Sequence, residues 1–370
     1  MIAAGAPGAA LPPMDHAGRR DRLRARLEAA GCSVLVVTAP SDVTYLSGFT
    51  GSNGTLLVDV DPAADLLVTD ARYRERCGTL DVPRVETSRR VEAVVADLGA
   101  RPVGVDADHM TLAQAARLTA ARPDGPLVHT SGLVAPLRAV KDDAELARLR
   151  RAGAITVDAF VAVADTALRP GLRERDVADV FARALQERGA DGLAFPTIVA
   201  SGPNGAAPHH EPSDRPLADG DLVTVDGGAH VDGYRADMTR TFAVGGPRHL
   251  DPRLAEVHAV VEAANAAGRA AAAAGVAVAD VDRAARTVVV DAGHGDAFVH
   301  PTGHGIGLDV HEAPLVTDPS AASLAVGTTF TVEPGIYLPG VGGVRIEDSL
   351  VARTGGSTTL TDLPRGPAVR

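Results

Sequence analysis

Five side chains of metal-ligating type stand in separated places in the C-terminal two-thirds of the chain. They are Asp226 and Asp237, eleven residues apart; His304, between two glycines; and Glu333 and Glu347, fourteen residues apart. Each lies in an apolar, strand-like or glycine-rich setting, where a charged side chain is expensive. Val223-Thr224-Val225-Asp226-Gly227 and Phe330-Thr331-Val332-Glu333-Pro334 read as buried strands that each end in a carboxylate. Four inward-facing carboxylates repel one another and resist ionisation unless cations balance them. Two divalent ions would set four positive charges against four negative ones, with the His304 imidazole as a neutral fifth ligand. A set rich in oxygen with one nitrogen suits Mn, Co or Zn.

An internal duplication supplies the elements that must position these groups. Gly171-Leu172, followed by Asp176-Val177, reappears 104 positions later as Gly275-Val276, followed by Asp280-Val281. Each copy follows a long helix and opens a second one, ending at Gly189 or Gly293. Each half then leads to a strand ending at Asp226 or Glu333. A further strand follows, Arg235–Thr239 in the first half and Arg345–Ser349 in the second. Residues two apart in a strand share a face, so Arg235, Asp237 and Thr239 line one side, as do Arg345, Glu347 and Ser349. Two such halves would bring their carboxylates together at a pseudo-two-fold axis.

Ahead of the duplicated part, Arg19–Ala30 reads as an amphipathic helix, and Ser33–Thr38, Leu56–Val60 and Leu66–Thr69 read as strands. Alternation of this kind predicts a mostly parallel or mixed sheet. Asp70, Arg72 and Tyr73 form a polar cluster that reads as a structural ion pair. The boundary falls near Pro136-Leu137-Arg138, before a helix that starts at Asp142 or Asp143 and stops ahead of Pro170-Gly171.

The chain has 370 residues, enough for two domains, and its 36 basic and 47 acidic residues give a net charge of −11. That balance argues against nucleic acid as the main partner. No apolar run approaches the roughly 20 residues that span a bilayer, so no membrane partner is expected. Residues 1–14 read as a disordered extension rather than a signal peptide, and Met14 is an alternative start. Only Cys32 and Cys77 occur, which fits a reducing cytoplasm better than a disulfide scaffold.

Several segments carry a family resemblance. They are Asp226-Gly227-Gly228, Asp237 through Phe242, His300-Pro301-Thr302-Gly303-His304-Gly305-Ile306-Gly307 with His311-Glu312, Glu333-Pro334-Gly335 and Arg345-Ile346-Glu347-Asp348. Together they resemble the Xaa-Pro peptidases, prolidase and aminopeptidase P, within the pita-bread metallopeptidases (M24). The likeness is strong over residues 140–355; the front segment is more weakly similar to a creatinase-type N-terminal domain. The expected architecture is an α/β N-terminal domain over 15–135 and an α+β pita-bread catalytic domain over 140–360.

The resemblance implies that Asp226 binds one metal, Asp237 and Glu347 bridge two, and His304 and Glu333 bind the other. It implies hydrolysis of the Xaa-Pro bond of dipeptides or short peptides by a metal-bridging hydroxide, with Mn²⁺ foremost. Glu333 would take the proton of the water, and His209 and His311 would stabilise the oxyanion. His300 would orient the site, Arg345 would pair with a ligand carboxylate, and Phe195 would wall the proline pocket. His210 is expected to be a bystander. A homodimer is expected, with the front domain bordering the partner's site. A methionine aminopeptidase-like enzyme, metal-free creatinase and a non-catalytic binding module are the alternatives, and the intact ligand set weighs against the last two. Gly303, Gly305 and Gly307 lack the lysine and the strand-to-helix context of a phosphate loop, and instead are expected to let the backbone approach the metal centre closely.

Overall fold

The structure is a computed structural model that describes residues 10–368. It divides into two compact units, one of which is Pro13–Arg138; the remaining described residues form the other.

The first unit begins with α1 (His16–Leu27), which starts three residues before the expected Arg19 because Asp15 caps it, accepting from Gly18 N. Strands β1 (Val34–Val37), β2 (Thr55–Asp59), β3 (Leu66–Val68), β4 (Arg84–Glu86), β5 (Val103–Asp106) and β6 (Leu127–Thr130) form one sheet in the order β4-β3-β2-β1-β5-β6. The sheet is mixed: β1 runs antiparallel to β2 and parallel to β5. Helices α2 (Pro40–Ser47), α3 (Arg74–Cys77), α4 (Val91–Ala96), α5 (Leu112–Ala121) and α6 (Ala135–Ala139) complete the helix series up to the boundary. Val34, Val36, Leu57, Val95, Val103 and Leu118 form its core. Cys32 and Cys77 are both free and buried. Asp70 and Arg72 form a surface ion pair at 2.8 Å.

The second unit opens with α7 (Asp143–Thr166). Asp142 and Glu145 make a reciprocal capping box at its start, and the chain leaves the helix before Pro170. Next come α8 (Glu174–Glu187), β7 (Gly192–Leu193), β8 (Ile198–Ser201), β9 (Leu222–Asp226), β10 (Ala229–Val231), β11 (Tyr234–Arg235) and β12 (Thr239–Ala243). The second half supplies α9 (Pro252–Ala271), α10 (Val278–Asp291), β13 (Gly303–Gly305), β14 (Glu312–Val316), β15 (Thr329–Val332), β16 (Gly335–Leu338), β17 (Gly342–Arg345), β18 (Asp348–Arg353) and β19 (Gly356–Thr359). The main sheets run β12-β9-β8 and β14-β13-β15-β18-β19.

The duplication is visible in hydrogen bonds as well as in sequence. Gly171 N donates to Leu217 O at 2.8 Å, and Gly275 N to Leu324 O at 2.7 Å. The return bonds, Leu217 N to Leu172 O and Leu324 N to Val276 O, measure 2.8 and 2.9 Å. Gly171 and Gly275 both have φ of +90°, a backbone conformation that glycine adopts without a steric penalty. The helices after these turns, α8 and α10, are each 14 residues long. This is the pseudo-two-fold of the pita-bread fold.

Two expectations need correction. Arg235–Thr239 and Arg345–Ser349 are not continuous strands. The first is broken over residues 236–238, between β11 and β12, and the second over 346–347, between β17 and β18. Asp237 and Glu347 thus sit in the gaps. The extension also differs: residues 1–9 lie outside the described residues, but Leu11 packs on the core and Pro12 O accepts from Arg148 Nη1 at 2.9 Å. A buried arginine holds this part of the chain in place.

Candidate metal centre

Asp226 is the last residue of β9 and pairs in register with Ile198 and Thr239. Thr239 in turn links the two halves. Its backbone carbonyl accepts from Glu347 N at 3.1 Å, while its hydroxyl donates to Glu347 Oε2 at 2.7 Å. Ser349 Oγ donates to the Asp237 carbonyl at 2.7 Å, so a residue of the second half pins the gap in the first. Glu333, one residue past β15, donates its N–H to Thr302 O at 2.8 Å, and its Oε1 accepts from Thr331 Oγ1 at 2.9 Å.

His304 Nδ1 lies 3.0 Å from Gly305 O. A carbonyl only accepts, so Nδ1 carries a proton and Nε2 is the nitrogen turned toward the carboxylates. That Nε2 stands 3.1 Å from Glu333 Oε1 and 3.7 Å from Asp237 Oδ2. Ligand atoms of Asp237, His304 and Glu347 all fall within 4.8 Å of one another.

Several oxygens here have no partner among the described residues. Asp226 Oδ1, Asp237 Oδ1 and Glu347 Oε1 are buried and accept no hydrogen bond. An orphaned buried carboxylate oxygen is costly, and three on residues that line one cavity call for cations there. The proton balance says the same. Burial, reinforced by the neighbouring carboxylates, pushes the Asp237 and Glu347 carboxyls well above their usual range. Burial works against ionisation of Glu333 too, yet the His304 hydrogen bond pulls it down to about 2. His304 is raised to about 9: its burial opposes the charge, and Glu333 more than compensates. Cations would replace these proton arrangements at neutral pH, so the donor set fits divalent metal.

Arg345 sits at the end of β17 and is 4% exposed. Its Nη2 donates to Asp226 Oδ2 at 2.7 Å, and its Nη1 to Tyr337 OH at 2.8 Å and to Pro208 O at 3.2 Å. The chain of contacts continues through Tyr337. His300 Nδ1 faces Pro301 O at 2.8 Å, so Nε2 is unprotonated and accepts from Tyr337 OH at 2.9 Å. Nothing in the spacing marked Tyr337; the one clue was its place two residues past Glu333-Pro334-Gly335.

All ten residues singled out in the sequence line one cavity of about 820 Å³. His311 stacks edge-on against His304, ring centroids 4.4 Å apart, and burial followed by the His304 charge lowers its pKa. His209 is exposed on the cavity side, and Phe195 is half-buried beside Ile198. His210 does not line the cavity. Its Nε2 lies 2.8 Å from Oε2 of the buried Glu174, which also accepts from Ser201, Asn204 and Ser213. The bystander therefore anchors the loop that carries His209. The glycine segment shows close backbone packing: a Cβ on Gly305 would lie 2.2 Å from Ala313 O, and one on Gly303 would lie 2.0 Å from Thr331 O. The crowding is between strands rather than against the metal site.

Clustered carboxylates, one imidazole with its Nε2 turned inward and hydrogen-bond donors around an open cavity define a metallohydrolase site. Residues 147–354 match the profile of metallopeptidase family M24, and residues 19–140 match that of the Creatinase/Prolidase N-terminal domain. The chain belongs to metallopeptidase family M24. The peptidase YqhT of Bacillus subtilis is 37% identical over 93% of this chain and 98% of its own length. Among solved structures, an Xaa-Pro dipeptidase from Bacillus anthracis superposes with a TM-score of 0.90 at 34% identity, covering 95% of this chain and 99% of that one. An X-Pro aminopeptidase from Thermotoga maritima gives 0.83 at 33% identity, covering 92% and 99%.

Proposed function

We propose that this protein is a two-metal peptidase that hydrolyses the bond before proline in short peptides. The observation that carries the reading is the trio of orphaned oxygens on Asp226, Asp237 and Glu347, in one cavity with His304 and Glu333. Asp226 would hold one ion, His304 and Glu333 the other, with Asp237 and Glu347 shared. Bound there, divalent ions supply Lewis acidity to water and to the scissile carbonyl. Mn²⁺ is the proposed metal, since four carboxylates and one imidazole suit it, although Co²⁺ and Zn²⁺ tolerate the same ligands.

The chain's own groups do the rest. Glu333 accepts the proton of the attacking water. His311 and His209 line the cavity and donate toward the oxygen on which negative charge develops. Arg345 fixes one Asp226 oxygen and leaves the other turned to the metal position. Phe195 and Ile198 give an apolar wall that suits a ring lacking an N–H. Family resemblance supports a homodimer, which light scattering tests, and the two buried free thiols support a reducing cytoplasm. Hydrolysis of Ala-Pro and Ala-Pro-Ala with and without Mn²⁺ tests the function. Absence of turnover in metal-replete protein would favour a non-catalytic binding module.

A further inference from the structure

The cavity wall decides which group the site accepts on the C-terminal side of the proline. A dipeptide would carry the carboxylate of its proline into this cavity, and a carboxylate drawn out of water needs a fixed positive partner. Among the described residues that line the cavity, Arg345 is the one with a permanent positive charge. Its guanidinium is already committed to Asp226, Tyr337, Thr239 and the Pro208 carbonyl. Lys141 is 1% exposed, and its ammonium is paired with Glu312 Oε2 at 2.9 Å. The imidazoles of His209 and His311 can donate hydrogen bonds, while both ring nitrogens of His300 are engaged by Pro301 and Tyr337; none of the three holds a permanent charge.

The same wall offers apolar surface. Leu315 stands opposite His304 in the β13–β14 ladder, so both side chains leave the same face of the sheet. Leu315 is 52% exposed and Val299, adjacent to His300, is 65% exposed; both line the cavity. One exposed leucine is ordinary, but two large apolar side chains on the wall of one binding cleft offer surface for an incoming group to cover.

We propose that Leu315 and Val299 form an apolar subsite for the residue after proline, so that the preferred substrates are peptides of at least three residues with an apolar third side chain. The inference rests on the Xaa-Pro reading above. It is tested by kcat/KM for Ala-Pro, Ala-Pro-Leu and Ala-Pro-Asp with the Mn²⁺-loaded protein. Ala-Pro-Leu should exceed both others by about tenfold or more, the scale set by burying a leucine side chain. Leu315→Arg should raise Ala-Pro hydrolysis and lower that of Ala-Pro-Leu, each by about tenfold. Leu315→Ser should lower Ala-Pro-Leu without helping Ala-Pro. Wild-type hydrolysis of Ala-Pro as fast as Ala-Pro-Leu, or an unchanged ratio in Leu315→Arg, overturns the subsite and leaves the Xaa-Pro reading standing. Cleavage of none of the three at full metal loading overturns that reading, and the subsite with it.

Discussion

Asp237 and Glu347 show how a side chain's surroundings decide its charge. Both are buried beside other carboxylates and hold their protons when alone. Their folded pKa values lie above the unfolded values of about 4, so folding is fully favoured below that pH and loses free energy as pH rises toward the raised values. His304 adds a loss of the same sign between its ordinary 6.5 and about 9. The melting temperature of chelator-treated protein should therefore fall from pH 5 to pH 9, and Mn²⁺ should remove most of that fall. A flat profile without metal would contradict the charge assignment. Asp237→Ala and Glu347→Ala should each give a folded protein, by circular dichroism, without Xaa-Pro hydrolysis. Retained activity in either would refute a shared ligand. His311→Ala should lower kcat by about 10²–10³ while leaving metal content unchanged, as loss of an oxyanion donor does.

Among the elements, the loop that carries His209 depends on a single buried charge. Glu174, on α8, gathers Ser201, Asn204, His210 and Ser213. Burial opposes its ionisation, but the Ser213, Ser201, Asn204 and His210 hydrogen bonds outweigh it and hold the carboxyl at about 2. Its contribution is thus present above pH 4.5 and lost as pH falls through 2. Glu174→Gln should cost about 1.5–3 kcal/mol of stability by denaturant titration, the range for hydrogen bonds to a charged group. Its stability should also fall less than that of the wild type on acidification; parallel acid profiles would contradict this role.

The legibility of the elements divides along physical lines. The helix pairs were readable because the Gly-Leu and Asp-Val pattern recurs at a fixed period and the backbone turn it marks needs glycine. Two of the proposed ligands, Asp226 and Glu333, were readable because a carboxylate at the end of an apolar strand breaks the pattern. The gaps at 236–238 and 346–347 were not, because both flanking segments look like strand and the break is imposed by pairing between the halves, Thr239 with Glu347. Glu174 and Tyr337 escaped notice, and His210 was read as a bystander, for a related reason. Their partners are 8 to 39 residues away, and no local spacing marks such pairs.

At the scale of the whole molecule, the cavity and all the proposed ligands fall within the unit that carries the duplication. Neither half holds a complete site: Asp226 and Asp237 come from one, His304, Glu333 and Glu347 from the other. Metal should therefore join the two halves in the folding equilibrium. At a free concentration 100 times the Kd it stabilises by about 2.7 kcal/mol. That corresponds to a rise in Tm of roughly 5–10 °C for a unit of this size. The most direct test of the account is calorimetric titration of Mn²⁺ into chelator-stripped protein near pH 7. Two ions should bind per chain with release of protons, and Glu347→Ala should reduce the stoichiometry. A stripped, folded protein that takes up no divalent ion would contradict the account at its centre.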